Sequence, residues 1–181
     1  MSQGVWTVKI HLQTVLFALC LTPLLAHAGG KAHVHGVATL DIAVEARKIT
    51  VQLESPLDNL LGYERTPRTD AERKQVDAMV ARLQTANEMF RIDPAAQCVP
   101  GKVLLVSAAL KLGQPNPSAA DHADIDGTFE FTCADATKAA FIDVGLFEFK
   151  RLQRLNVQVA APQGQFKRDL KRPASRILLT R

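Results

Sequence analysis

A single α+β domain with a mostly antiparallel sheet is the fold class this sequence predicts, and three observations predict it. Apolar and polar residues alternate with a period of two in several stretches of strand length. One longer stretch, about residues 70–90, carries a helical period instead, and breaks rich in Pro, Gly, Asn and Ser separate these segments. Residues 29–181 are enough for one real core and too few for two comfortable ones.

The chain starts with features of export. Lys9 and His11 give a basic start, the run opened by Val15 to Leu21 is apolar, Pro23 breaks it, and Ala26-His27-Ala28 places small residues at −3 and −1. These are the three parts of a secretory signal peptide, so residues 1–28 are expected to be removed after Ala28. A membrane span is not expected there, because about 11 apolar residues fall short of the roughly 20 that a helix needs to cross a bilayer. No later apolar run reaches that length, so no transmembrane segment is expected after cleavage. Cleavage removes Cys20 and leaves Cys98 and Cys133, an even pair in an oxidising compartment, for which a disulfide is the natural reading and a pair of thiolate metal ligands the alternative.

Residues 37–45 alternate with Ala38, Leu40, Ile42 and Val44 on one face, and Ile49, Val51 and Leu53 do the same after a turn, which predicts a hairpin. Ser55-Pro56 ends the second strand, since proline cannot continue a ladder. Residues 56–61 read as one helical turn. Thr69 and Glu72 have the spacing of a capping box, Asp70 suits the positive end of the dipole, and Val76, Met79, Val80, Leu83 and Phe90 form one stripe, so the main helix is expected over about 70–90. Asp93-Pro94 marks its exit. Val103 to Leu112 is expected to be a strand with Leu104, Val106, Ala108, Leu110 and Leu112 on a common face, and residues 113–121 a loop. In the next strand Ile125, Phe129, Phe131 and Cys133 alternate with Asp124, Asp126, Thr128, Glu130 and Thr132, predicting an aromatic inner face and an acidic outer one. Further strands are expected at 141–146, 155–161, 165–170 and 175–179, with a short helical stretch near 148–151. Residues 35–61 and 122–152 share the order histidine, strand, turn, strand, short helix, which predicts two pseudo-repeated ββα units around one core.

Charge is uneven. Residues 29–149 carry 12 Lys and Arg against 17 Asp and Glu, whereas residues 150–181 carry 9 against 1. The basic tail, with Lys150-Arg151, Arg154, Lys167-Arg168 and Lys171-Arg172, reads as a solvated face first and as a docking face for an envelope partner second. Nucleic acid is not an expected partner, since no binding motif is present.

His33-Val34-His35-Gly36 is the sharpest local feature. In extended backbone, residues i and i+2 project to one side, and neutral imidazoles suit zinc, copper or nickel. Two ligands do not complete a zinc site, which takes three or four. His122 and Asp124 repeat the spacing at the start of the corresponding strand of the second half, so His33, His35, His122 and Asp124 make a four-ligand candidate set. Constellations for catalysis are missing: there is no GxSxG elbow, no HExxH and no phosphate-cradling glycine loop.

His33-x-His35-Gly36, Leu53-Glu54-Ser55-Pro56, Leu61-Gly62-Tyr63-Glu64-Arg65-Thr66-Pro67, Cys98, His122-Ala123-Asp124, Phe129-Glu130-Phe131-Thr132-Cys133, Leu146-Phe147 and Pro162-Gln163-Gly164-Gln165 together resemble the ZrgA-type family of periplasmic zinc-uptake accessory proteins. The resemblance implies a bacterial periplasmic protein without enzymatic activity that binds zinc and assists a high-affinity zinc ABC importer or its periplasmic binding protein, and the chain is expected to be a monomer. The chain departs from that family's pattern twice. Its loop 113–121 holds no histidine, and Arg65 stands where many members have one.

Overall fold

The computed structural model describes Met1, residues 34–114 and residues 123–180. The chain divides between Lys31 and Ala32, and the second unit, Ala32–Arg181, is compact. The expected signal peptide, His33 and His122 lie outside the described residues. All the strands and helices described belong to the second unit.

The alternating segments form strands because each can bury one face and leave the other wet. β1 (Val37–Val44) and β2 (Lys48–Pro56) form the expected hairpin, with Leu40 opposite Leu53 and Ile42 opposite Val51. β2 pairs on its other side with β5 (Asp124–Cys133), and β5 with β4 (Cys98–Val106). β1 pairs with β7 (Arg154–Ala161), which turns at Pro162-Gln163 into β8 (Gly164–Lys171). The order in this six-stranded sheet is β4-β5-β2-β1-β7-β8. Every pairing in it is antiparallel except β1 with β7, which is parallel.

One face of the sheet is apolar across β5, β2, β1 and β7. Leu40, Ile42, Ile49, Val51, Ile125, Phe129, Leu155 and Val157 are buried on it. A second layer covers that face: α2 (Asp70–Gln84), α3 (Ala86–Met89) and a small sheet in the order β3-β6-β9, from β3 (Phe90–Ile92), β6 (Phe141–Val144) and β9 (Arg176–Leu178). Phe90 meets Phe129 edge to face with centroids 4.8 Å apart, a contact worth about 0.5–1.5 kcal/mol beyond its buried area. The opposite face is open and mostly polar, with Val99 and Leu104 exposed on it at the β4 edge.

Three expectations change. The main helix stops at Gln84, not near 90. Thr85 leaves the helical region, α3 is a single turn, and Phe90 is taken by the β3 pairing with Val144 instead of extending the helical stripe. The strand expected at 103–112 runs from 98 to 106, and a register shift between Pro100 and Val103 reverses its phase, so Leu105 is 6% exposed while Leu104 is 44% exposed. Residues 107–112 form a turn closed by two backbone hydrogen bonds between Ser107 and Leu112. Finally, the two ββα stretches share their order of elements but not their pairing: β1 and β2 form a hairpin, whereas β5 and β6 lie in different sheets.

Cys98 and Cys133 stand opposite each other on β4 and β5 and are joined by a disulfide that closes a separation of 35 residues. It ties the edge strand to the sheet. Breaking it with Cys98→Ala/Cys133→Ala is expected to cost roughly 3–4 kcal/mol on the chain-entropy estimate, checked by urea unfolding of both proteins.

Candidate metal site beside His35

His35 stands in the turn that enters β1, and glycine makes the turn possible. Gly36 has φ +79°, a conformation that side chains rarely adopt. Both its backbone groups are used. Its N–H donates to Asn59 Oδ1 at 2.6 Å, and its carbonyl accepts from the N–H groups of Gln153 and Arg154 at 2.8 and 2.9 Å. Asn59 is 1% exposed, in α1 (Leu57–Leu61), and its Nδ2 donates to the Val37 carbonyl and to Ser55 Oγ. A buried amide with all these partners fixes where the turn lies.

Two carboxylates flank the imidazole. His35 Nε2 lies 3.0 Å from Glu64 Oε1, and Nδ1 lies 3.9 Å from Asp58 Oδ2. Asp58 is nearly buried and held by Arg151, whose Nη2 donates to its two oxygens at 2.8 and 3.1 Å and whose Nε reaches the Asp58 carbonyl at 3.1 Å. Gly62, at φ +87°, caps α1 and turns the chain toward Glu64.

The loop that carries Glu64 is fastened to the start of α2. The expected capping box is present, with Glu72 N–H donating to Thr69 Oγ1 and the Glu72 carboxylate accepting from Thr69 N–H. That carboxylate also takes a two-pronged pair from Arg65 at 2.7 and 3.0 Å and the Arg68 N–H at 2.6 Å. Arg65 foremost, and then the Arg68 N–H, hold the Glu72 carboxyl at about 2 against an ordinary 4.5. The Arg65 guanidinium also lies over the Tyr63 ring.

Of the four residues the sequence singled out, the structure describes two. Asp124 opens β5 opposite Pro56, half-buried, and its carbonyl accepts from Ser107 Oγ at 2.6 Å. The residue before it, Ala123, accepts from Leu57 N–H at the foot of α1. Asp124 and His35 thus come to the same end of the sheet, with Pro56–Asp58 between them. Among the described residues, no group of three or more His, Cys, Asp or Glu side chains is arranged to hold a metal ion. The disulfide removes both cysteines as thiolate ligands.

Sequence reasoning missed Asp58, Asn59, Glu64 and the role of Arg151. It assigned Arg151 to the basic tail, yet this arginine is spent on Asp58. Arg172 is likewise turned onto the carbonyls of Phe147, Phe149 and Leu152, and Arg176 onto Asp143. A shallow hollow of about 500 Å³ on the open sheet face is separate from the His35 turn; Ala43 and Ala160 floor it, and Gln158 donates to Asp41 at its rim.

These features define an α+β domain whose surface site offers imidazole and carboxylate donors and no thiolate. The profile of the ZrgA family zinc uptake proteins matches residues 32–179, and the chain belongs to that family. A comparison with curated proteins found no match. Among the described residues, no helix is long and apolar enough to cross a membrane.

Asn59→Ala strands the Gly36 N–H and the Val37 carbonyl. It is expected to lower stability by about 1–3 kcal/mol and to speed hydrogen exchange at Gly36 and Val37, both readable by denaturation and NMR. Because the Glu72 carboxyl titrates lower in the folded chain than in the unfolded one, the stability it adds is in place above pH 4.5 and is lost as pH falls toward 2. Glu72→Gln should therefore flatten the acid limb of the stability curve between those values.

Proposed function

We propose that the chain is an exported, monomeric, non-enzymatic zinc-binding accessory protein of the periplasm, assisting a high-affinity zinc ABC importer or its periplasmic binding protein. Membership of a zinc uptake family over residues 32–179 carries this reading. The signal-peptide features of residues 1–28 and a disulfide of the kind that persists in oxidising compartments support the location.

His33, His35, His122 and Asp124 are the proposed ligand set. His35 and Asp124 reach one end of the sheet, and His33 and His122 are their near neighbours in sequence. A site on the surface suits a cargo ion. His35 is 63% exposed, so an acceptor's ligand has room to approach the metal and replace protein ligands one at a time. Such a site binds and releases; it needs no polarised substrate and no general base.

Calorimetric titration with zinc of the chain from Gly29 onward is the test. Binding tighter than about millimolar is expected, weakened about tenfold or more by His33→Ala/His35→Ala. Absent binding, or an unchanged affinity in the double variant, would sink the reading.

A further inference from the structure

We propose that Glu64 is a ligand of the same divalent cation as His35, so that the ion is held between the turn entering β1 and the loop leaving α1. This rests on the zinc reading above and adds to its ligand set a residue that the sequence did not single out as a ligand.

The geometry is the ground for it. Two ligands that hold zinc at about 2.0–2.1 Å in tetrahedral directions stand about 3.3–3.4 Å apart. The Glu64 Oε1 to His35 Nε2 distance is 3.0 Å, so a small opening of the contact admits the ion between them. Both side chains reach solvent, which leaves the remaining positions open to other ligands or water. Both backbones are fixed. His35 precedes the doubly bonded Gly36, and Glu64 lies between the Gly62 cap and Arg65, which is pinned on Glu72. A ligand pair held this way keeps its spacing before the metal arrives, and less ordering is needed on binding.

Asp58 has a different part. Its carboxylate is engaged by Arg151 and lies 3.9 Å from Nδ1, beyond hydrogen-bond reach, so it is not counted among the ligands. Imidazole with carboxylate and without thiolate favours zinc over monovalent copper, which prefers sulfur, and over calcium, which takes oxygen alone.

The probe is Zn²⁺ alone, titrated in competition with a chromogenic chelator into the chain from Gly29 onward and its Glu64→Gln, Glu64→Asp and His35→Ala variants, with Co²⁺ absorption as a second readout. Glu64→Gln is expected to weaken zinc about tenfold or more and to alter the Co²⁺ bands, with the melting temperature of the metal-free protein unchanged and part of the affinity restored in Glu64→Asp. The proposal is overturned if Glu64→Gln binds zinc within about twofold of the parent and gives the same Co²⁺ spectrum while His35→Ala weakens binding. If the parent binds no zinc, or His35→Ala changes nothing, the zinc reading falls and this proposal with it.

Discussion

The six-stranded sheet buries only one of its faces, and that asymmetry decides the placement of everything else. Leu40, Ile42, Val51, Phe129 and Val157 face a second layer made of α2, α3 and the small β3-β6-β9 sheet. A strand with period-two alternation satisfies such a face without any choice of partner, since its odd and even residues already separate into core and solvent. Loss of a single large side chain there costs more than any surface pair contributes, because cavities in close-packed interiors do not refill. The opposite face, with Asp41, Gln52, Glu54 and Asp126 in the open, is left to polar contacts. Glu54 and Asp126 lie directly opposite each other, and partial desolvation together with Glu54 pushes the Asp126 carboxyl above its ordinary range.

At one end of this sheet the polar chemistry goes inside. Ser55, Asp58 and Asn59 are buried where β2 runs into α1, and each has partners. Pro56 ends the ladder between them, so the chain must turn, and the buried amide of Asn59 binds the turn of a different segment, at Gly36. The sheet thus supplies rigidity and its polar end supplies position. A histidine on a free terminus explores many directions, whereas His35 is presented by a turn whose N–H, carbonyl and following residue are all held.

How much of this the sequence disclosed depends on the range of the interactions. β1, β2, β5 and β7 were legible because their signal is local: Val, Ile, Leu and Phe at every second position state which face is buried. The capping box of α2 was legible for the same reason. β4 was misphased because a bulge near Pro100 shifts its register, and nothing in the pattern after Val103 carries that information. The end of α2 was misplaced because Phe90 fits the helical stripe as well as it fits β3, and only the distant Val144 decides between them. The neighbourhood of His35 was half legible. His-x-His-Gly and the histidine-to-carboxylate spacing of 122–124 stand out in sequence, but Glu64 and Asp58 enter through two left-handed glycines, 36 and 62, whose combined geometry no spacing rule contains.

Arg65 shows why a departure from a family pattern is better read from contacts than from identity. Resemblance leads one to expect a histidine there, and the chain has an arginine. The guanidinium does what an imidazole does poorly: its flat fork takes both oxygens of Glu72 at once while its face rests on Tyr63. Glu72 is the residue that closes the cap of α2, so the pair fastens the helix start to the loop immediately after Glu64. That loop is short, and fixing residue 65 fixes the direction from which residue 64 leaves the backbone. Arg65 therefore gives the loop that carries Glu64, whose carboxylate faces His35, a firm hold on the start of α2. In a domain whose loop 113–121 also lacks histidine, the proposed ligands His35, Glu64 and Asp124 all lie toward one end of the sheet.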